Sequence, residues 1–125
     1  MNIVRTGIIL NTEQYEACVD FYQKVFNLKI MHTKNDSDGF ALTCFEFGGS
    51  YLMVETGGVA ADGEKDIATS PAKLRFNVSD IEKALDSIQA HGIDAHIERY
   101  DWGSTINICD PDGNRVGIRD EASFG

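Results

Sequence analysis

Five basic side chains, Arg5, Lys73, Arg75, Arg115 and Arg119, fall on alternate positions of strand-like segments. Successive strand residues point to opposite faces, so the five share the face that the core does not use. They are five of only 11 basic residues in a chain whose 20 acidic residues set its net charge at -9. Gathered on one side of a sheet, arginine forks and a lysine suit the carboxylate or phosphate of a small molecule. The plainer alternative is that they reach solvent or pair with Glu55, Glu98 and Asp120. Tyr51, Met53, Tyr100 and Trp102 allow the same two readings, as a stacking wall for a ligand or as filling and interface residues.

Other chemistry is sparse. His96 shares its side of a strand with Glu98 and Tyr100 and is a candidate general base, as is Glu55; a solvated histidine is the competing reading. His91 precedes Gly92 at the end of a helical pattern, where the helix dipole favours it, and His32 carries no signal. No GxSxG, HExxH or CxxC motif and no glycine-rich phosphate loop occurs. Cys18, Cys44 and Cys109 are odd in number, widely spaced and set among apolar residues, which fits buried thiols better than a disulfide or zinc site.

The acidic balance excludes a basic footprint for nucleic acid. No apolar run approaches the roughly 18 residues of a membrane span, and the start lacks a signal-peptide pattern, so the expected location is cytoplasmic, with no membrane partner. Net charge suits a basic ligand and the local cations suit an anion. A ligand in a pocket feels the nearest charges most, so the expectation is an anion.

The elements that must position these residues come in the same order twice. The first half reads as a strand over 3–10 and a helix capped by Asn11 or Thr12, with the stripe Tyr15, Cys18, Phe21, Tyr22, Val25. Strands over 28–33, 40–47 and 51–55 follow, with turns at NDSDG and GGS. The second half reads as a strand over 73–78, then a helix opened by a Ser79/Glu82 capping box and closed by Gly92. Strands over 93–100, 105–109 and 115–119 complete it. This is βαβββ twice, in the α+β class, with a repeat of 64 to 68 residues. Module 1 covers about 1–56, a linker or lid 57–71, and module 2 about 72–120, all within one 1–125 domain. Val4, Ile8, Leu10, Leu74, Phe76 and Val78 are the expected inward stripe of the two opening strands. Gly117, inside the last strand, marks a bulge or a closely approached surface.

The duplicated order, FYQKVFNLKI after the first helix and WGSTINICDPDGNRVGI near the end resemble the glyoxalase / bleomycin resistance / extradiol dioxygenase (vicinal oxygen chelate) superfamily. The resemblance implies a cup-shaped, eight-stranded mixed sheet with helices outside, built into a homodimer. In the family's metal enzymes, two histidines and two carboxylates from the first and last strands of each module hold a divalent ion such as Zn, Ni, Mn or Fe(II). The matching positions here are Arg5, Met53, Lys73 and Gly117, with Glu55 and Arg119 reached by a two-residue slip. The expectation is therefore no cofactor and no metal ligand. A small, anionic molecule would be bound in the cup by Arg5, Met53, Lys73, Arg75, Tyr100, Trp102, Gly117 and Arg119. The alternative is a lactoylglutathione lyase-like lyase or isomerase, or a dioxygenase, with relocated ligands or a metal-free mechanism through His96 or Glu55. A dimer whose cup is filled by its own side chains is the third reading.

Overall fold

In the computed structural model, which describes residues 1–125, the repeat is written in the element order. The first set is β1 (Gly7–Thr12), α1 (Tyr15–Lys24), β2 (Ile30–Asn35), β3 (Ala41–Phe47) and β4 (Ser50–Thr56). The second is β5 (Leu74–Val78), α2 (Ile81–Ala90), β6 (Glu98–Tyr100), β7 (Gly103–Cys109) and β8 (Arg115–Asp120). The chain divides into two units, Met1–Ala61 and Asp62–Gly125. Each holds a four-stranded mixed sheet, ordered β1-β4-β3-β2 in unit 1 and β5-β8-β7-β6 in unit 2. In both, the first strand pairs parallel with the last and the remaining pairs are antiparallel. No helix is long and apolar enough to cross a membrane.

Period-two alternation builds both cores. In unit 2, Ile106, Ile108, Val116 and Ile118 are buried on one face with Ile81 and Ile88 of α2. In unit 1, Phe45, Leu52 and Val54 are buried together with Cys18, Phe21 and Tyr22 of α1. Full burial of each such large side chain stabilises by about 1.5–3 kcal/mol. All three cysteines are free, but Cys109 is only half-buried, unlike Cys18 and Cys44.

Several boundaries differ from those expected. The first strand starts at Gly7, because Gly7 pairs with Tyr51 and residues 1–6 run past the end of β4. Val4, ahead of the strand, and Ile8, on this edge strand, were both expected inside and are exposed. Asn11 and Thr12 do not cap α1. They are strand residues whose side chains donate to Glu55 and Thr56, and Gln14 precedes the helix without a side-chain cap. The cap of α2 is Asp80, which accepts from the backbone N–H groups of Glu82 and Lys83, and not Ser79. Such a cap contributes about 1 kcal/mol. β2 runs two residues later than expected, with Asn27 at φ 53° turning the chain after α1. β6 is short because only Gly103–Thr105 face it.

Segment 57–71 is tied down piecewise. Gly58 and Ala60 donate to Thr12 and Glu13 in unit 1. In unit 2, Lys65 bonds Gly113 and Asn114, and one Arg115 nitrogen donates to the carbonyls of Ser70, Pro71 and Ala72. Arg115 is thus a clamp on the segment.

Candidate functional site

Arg75 on β5, Gly117 on β8 and Asn107 on β7 stand side by side, as direct partners across three strands. A Cβ on Gly117 would lie 2.9 Å from Lys73 Cε and 3.2 Å from Arg75 Nε. The glycine is there because two cationic side chains cross its surface. The Lys73 ammonium donates to Asn107 Oδ1. Burial lowers the Lys73 pKa first, and the charges of Arg75 and Arg115 lower it further. The ion pairs of unit 2 are His96–Glu98, Arg99–Glu82 and Arg119–Asp120, so neither Lys73 nor Arg75 has a bonded carboxylate.

Asn107 links this pair to a carboxylate. Glu98 accepts from the Tyr100 hydroxyl and from Asn107, which holds its carboxyl below the usual range, while the same bond raises the Tyr100 hydroxyl. His96 Nε2 lies 3.7 Å from Glu98 and its side chain is largely exposed. The array Lys73–Asn107–Glu98–Tyr100 therefore runs across the sheet with its polar atoms bonded in series. Asn107 and Glu98 were absent from the sequence-derived site. The signal for Asn107 was a lone amide among the apolar residues of INIC.

Arg119 behaves differently from the other cations. It is only 7% exposed. Its Nη2 donates to the Trp102 carbonyl at 2.6 Å and the Ser123 carbonyl at 2.9 Å, and its Nε to Asp120 at 3.3 Å. The guanidinium lies 4.8 Å from the Trp102 ring centre, and Trp102 stacks on Tyr100 at 4.8 Å. Both rings remain half-exposed. A Cβ on Gly103 would sit 2.6 Å from the Arg119 guanidinium, so this glycine also makes room for a cation.

Asp120 completes the knot, accepting from Ser123 Oγ at 2.5 Å and Ser104 N at 2.8 Å. These bonds, the Ser123 hydroxyl first, and the Arg119 charge lower its pKa to about 2. A depressed carboxylate contributes stability that is present above the unfolded pKa and lost as pH falls through the folded one. Thermal stability is expected to decline between pH 4 and pH 2. Asp120→Asn should lower stability at neutral pH and flatten that part of the profile in a melting series. An unchanged acid limb in the variant would contradict the assignment.

In unit 1, Arg5 lies before β1 and lines a pocket with Met31, His32, Cys44, Tyr51 and Met53. Glu55 accepts from Asn11. Asn77 donates to Glu121, but its register partner is Arg119, as Glu55 is the partner of Asn11, so the first strands repeat by 66 residues (77 less 11) and the last strands by 64 (119 less 55). The register thus keeps Glu55 matched with Arg119 and Met53 with Gly117, and matches Lys73 with Gly7 in place of Arg5. The Tyr51 ring fills the space over Gly7. Unit 1 thus lays a large last-strand side chain over a first-strand glycine, and unit 2 does the reverse.

A family model described as Glyoxalase/Bleomycin resistance protein/Dioxygenase superfamily matches residues 3–118. The chain belongs to this superfamily. The superfamily member has solved fold neighbours at low identity. Lactoylglutathione lyase from Agrobacterium tumefaciens matches with a TM-score of 0.72 and 20% identity, over 96% of this chain and 95% of that one. FosX from Listeria monocytogenes, a fosfomycin resistance protein solved as a mutant with Mn(II) and 1S,2S-dihydroxypropylphosphonic acid, gives 0.74 and 15%, over 96% and 93%. A glyoxalase family protein from Enterococcus faecalis gives 0.70 and 16%, over 95% and 97%. At these identities the likeness establishes the fold. Comparison with curated proteins finds no match. The superfamily member has no group of three His, Cys, Asp or Glu side chains placed to hold a metal ion.

Proposed function

We propose that this superfamily member lacks the usual metal ligands and binds a small anionic molecule, with Lys73 and Arg75 as its anion grip. The observation that carries the reading is the pair of cationic side chains laid over Gly117 without a bonded carboxylate. Gly117 keeps the floor low, and Tyr100 and Trp102, half-exposed and stacked, offer an apolar wall on the same unit. Arg119 holds that wall from behind. Arg5 and Met53 line a pocket of unit 1 and take no part in this grip. The phosphonate carried by FosX is a small anion of the kind intended.

The family's divalent ion does not fit the residues at the corresponding positions. Gly7, Met53, Lys73 and Gly117 supply no histidine or carboxylate, and divalent ions of this family need such N and O donors. A unit charge 4 Å away is worth ~4 kcal/mol at an effective dielectric of 20, and a dication beside the Lys73 ammonium would be repelled by about twice that. A lyase, isomerase or dioxygenase acting without a metal is the alternative. The depressed Glu98 carboxyl argues against it, because a stabilised carboxylate is a poor proton acceptor.

The test is a melting screen against alkyl phosphonates, phosphate monoesters, di- and tricarboxylates and, as counter-set, polyamines and basic glycopeptides. Binding at 100 times Kd stabilises by about 2.7 kcal/mol, which a melting curve reads directly. Stabilisation by anions in metal-free buffer is expected. Stabilisation only by cations, or only when Mn(II) or Ni(II) is added, overturns the reading. Three free thiols suit a reducing compartment, so the cytoplasm is the proposed location. A homodimer is the proposed assembly, and a monomer in sedimentation of the same sample would refute it.

A further inference from the structure

Unit 1 carries a different chemistry on the sheet face opposite Leu52 and Val54. His32 of β2 pairs with Cys44 of β3, and Cys44 pairs with Met53 of β4, so the three side chains form one row across the sheet. Directly paired residues have Cβ atoms about 4.5–5.5 Å apart. Met31, adjacent to His32, would ordinarily point to the other face. The pairing of β2 slips between Ile30 and His32, and such a bulge re-aims a side chain. Met31 accordingly lines the same pocket as His32, Cys44 and Met53. The pocket holds about 130 Å³ and is completed by Arg5 and Tyr51. Cys44, free and 2% exposed, is its floor.

One thiol, two thioethers and one imidazole converge here, and no carboxylate lines the pocket. Thiolate and thioether donors select soft ions, above all Cu(I), over ions that prefer oxygen. Charge narrows the choice further. A dication bound to one thiolate would leave a net positive charge next to Arg5, whereas a monovalent ion and the thiolate cancel.

We propose that this pocket is a Cu(I) site, with Cys44 as thiolate ligand, Met31 and Met53 as thioether ligands and His32 as the imidazole. On binding, the Cys44 S–H bond breaks and its proton leaves to solvent as the S–Cu bond forms; copper stays Cu(I) and nothing is oxidised. Burial raises the pKa of the Cys44 thiol, and the charge of Arg5 lowers it in smaller measure. The site uses no residue of the anion grip on unit 2.

The experiment is anaerobic Cu(I) titration of the full chain against a chromogenic Cu(I) chelator, with Ag(I) as air-stable probe and Zn(II) in parallel. One equivalent of Cu(I) and of Ag(I) is expected, with new thiolate-to-metal ultraviolet absorption. Cys44→Ser should weaken binding by at least the ~100-fold that even outer-sphere partners of a metal can cost. Met31→Leu with Met53→Leu, which conserves volume and keeps the fold, should weaken it by about tenfold or more. Cys109→Ser should leave it unchanged. Loss of binding in Cys109→Ser but not Cys44→Ser overturns the proposal, as does unaltered affinity in the double methionine variant. Zn(II) binding as tightly as Cu(I) overturns the choice of ion.

Discussion

Lys73→Glu combined with Arg75→Glu should reduce affinity for the anion found by the melting screen at least ~1000-fold, without lowering the melting temperature. A hydrogen bond to a charged group contributes about 1.5–3 kcal/mol, so losing two removes roughly 3–6 kcal/mol, and each ~1.4 kcal/mol is tenfold in Kd. The reversed charges then repel the ligand where they previously held it. Stability should change little, for a reason visible in the charges around Lys73. Lys73 is pushed toward its neutral form by burial and by Arg75 and Arg115, so these cations strain one another when no anion is present. Exchanging two of them for carboxylates relieves that repulsion but loses the Lys73–Asn107 bond and the attraction of Glu64 and Glu98, so the effects offset. The two readouts separate binding from folding: titration calorimetry should show affinity collapse while the melt holds. A variant that keeps affinity within about threefold of the parent would show that the anion is held elsewhere. Binding should also weaken with added salt, because the cations are exposed to screening.

The fold was legible where a pattern is local and repeated. Alternation at Val116–Ile118 and Ile106–Ile108 fixed the faces of β7 and β8, and the resemblance of the terminal WGSTINICDPDGNRVGI segment fixed the family. What was not legible depended on partners distant in sequence. Ile3 and Val4 extend the apolar pattern of β1, but the length of β4 decides where pairing stops. Ser79 and Asp80 are both good caps, and only the entry angle of the chain selects Asp80. The repeat was legible to within two residues, and it needed the register of β1 on β4 and of β5 on β8 to show that Lys73 matches Gly7 and not Arg5. Gly117 was read correctly as a closely approached surface; that the approaching groups were Lys73 and Arg75 required β5 to lie beside β8. Strict alternation over 28–33 would set Met31 and His32 on opposite faces, and the bulge that brings both to one pocket leaves no mark in composition.

Arg119→Ala should destabilise the chain by about 3 kcal/mol and lower its melting temperature by roughly 10 °C, with little effect on anion affinity. Period-two reading put Arg119 on the face of the other cations, but its surroundings differ in kind. Its donors are taken by the carbonyls of Trp102 and Ser123 and by Asp120, and it is nearly enclosed. Truncation leaves these acceptors without a partner, and a hydrogen bond to a charged group contributes about 1.5–3 kcal/mol. It also removes a cation–π contact with Trp102, worth about 0.5–2 kcal/mol depending on how dry it is. Arg119→Lys keeps the charge but not the planar fork, so it should recover less than half of the loss. Trp102 is the single tryptophan, which makes its fluorescence a specific witness. Emission should change in Arg119→Ala at temperatures well below the melt, as the ring loses the guanidinium and the turn through Ser123 loosens. The competing role, direct ligand contact, makes the opposite prediction: an unchanged melt and a large fall in affinity. That result would move Arg119 from the frame of the site into its contact surface.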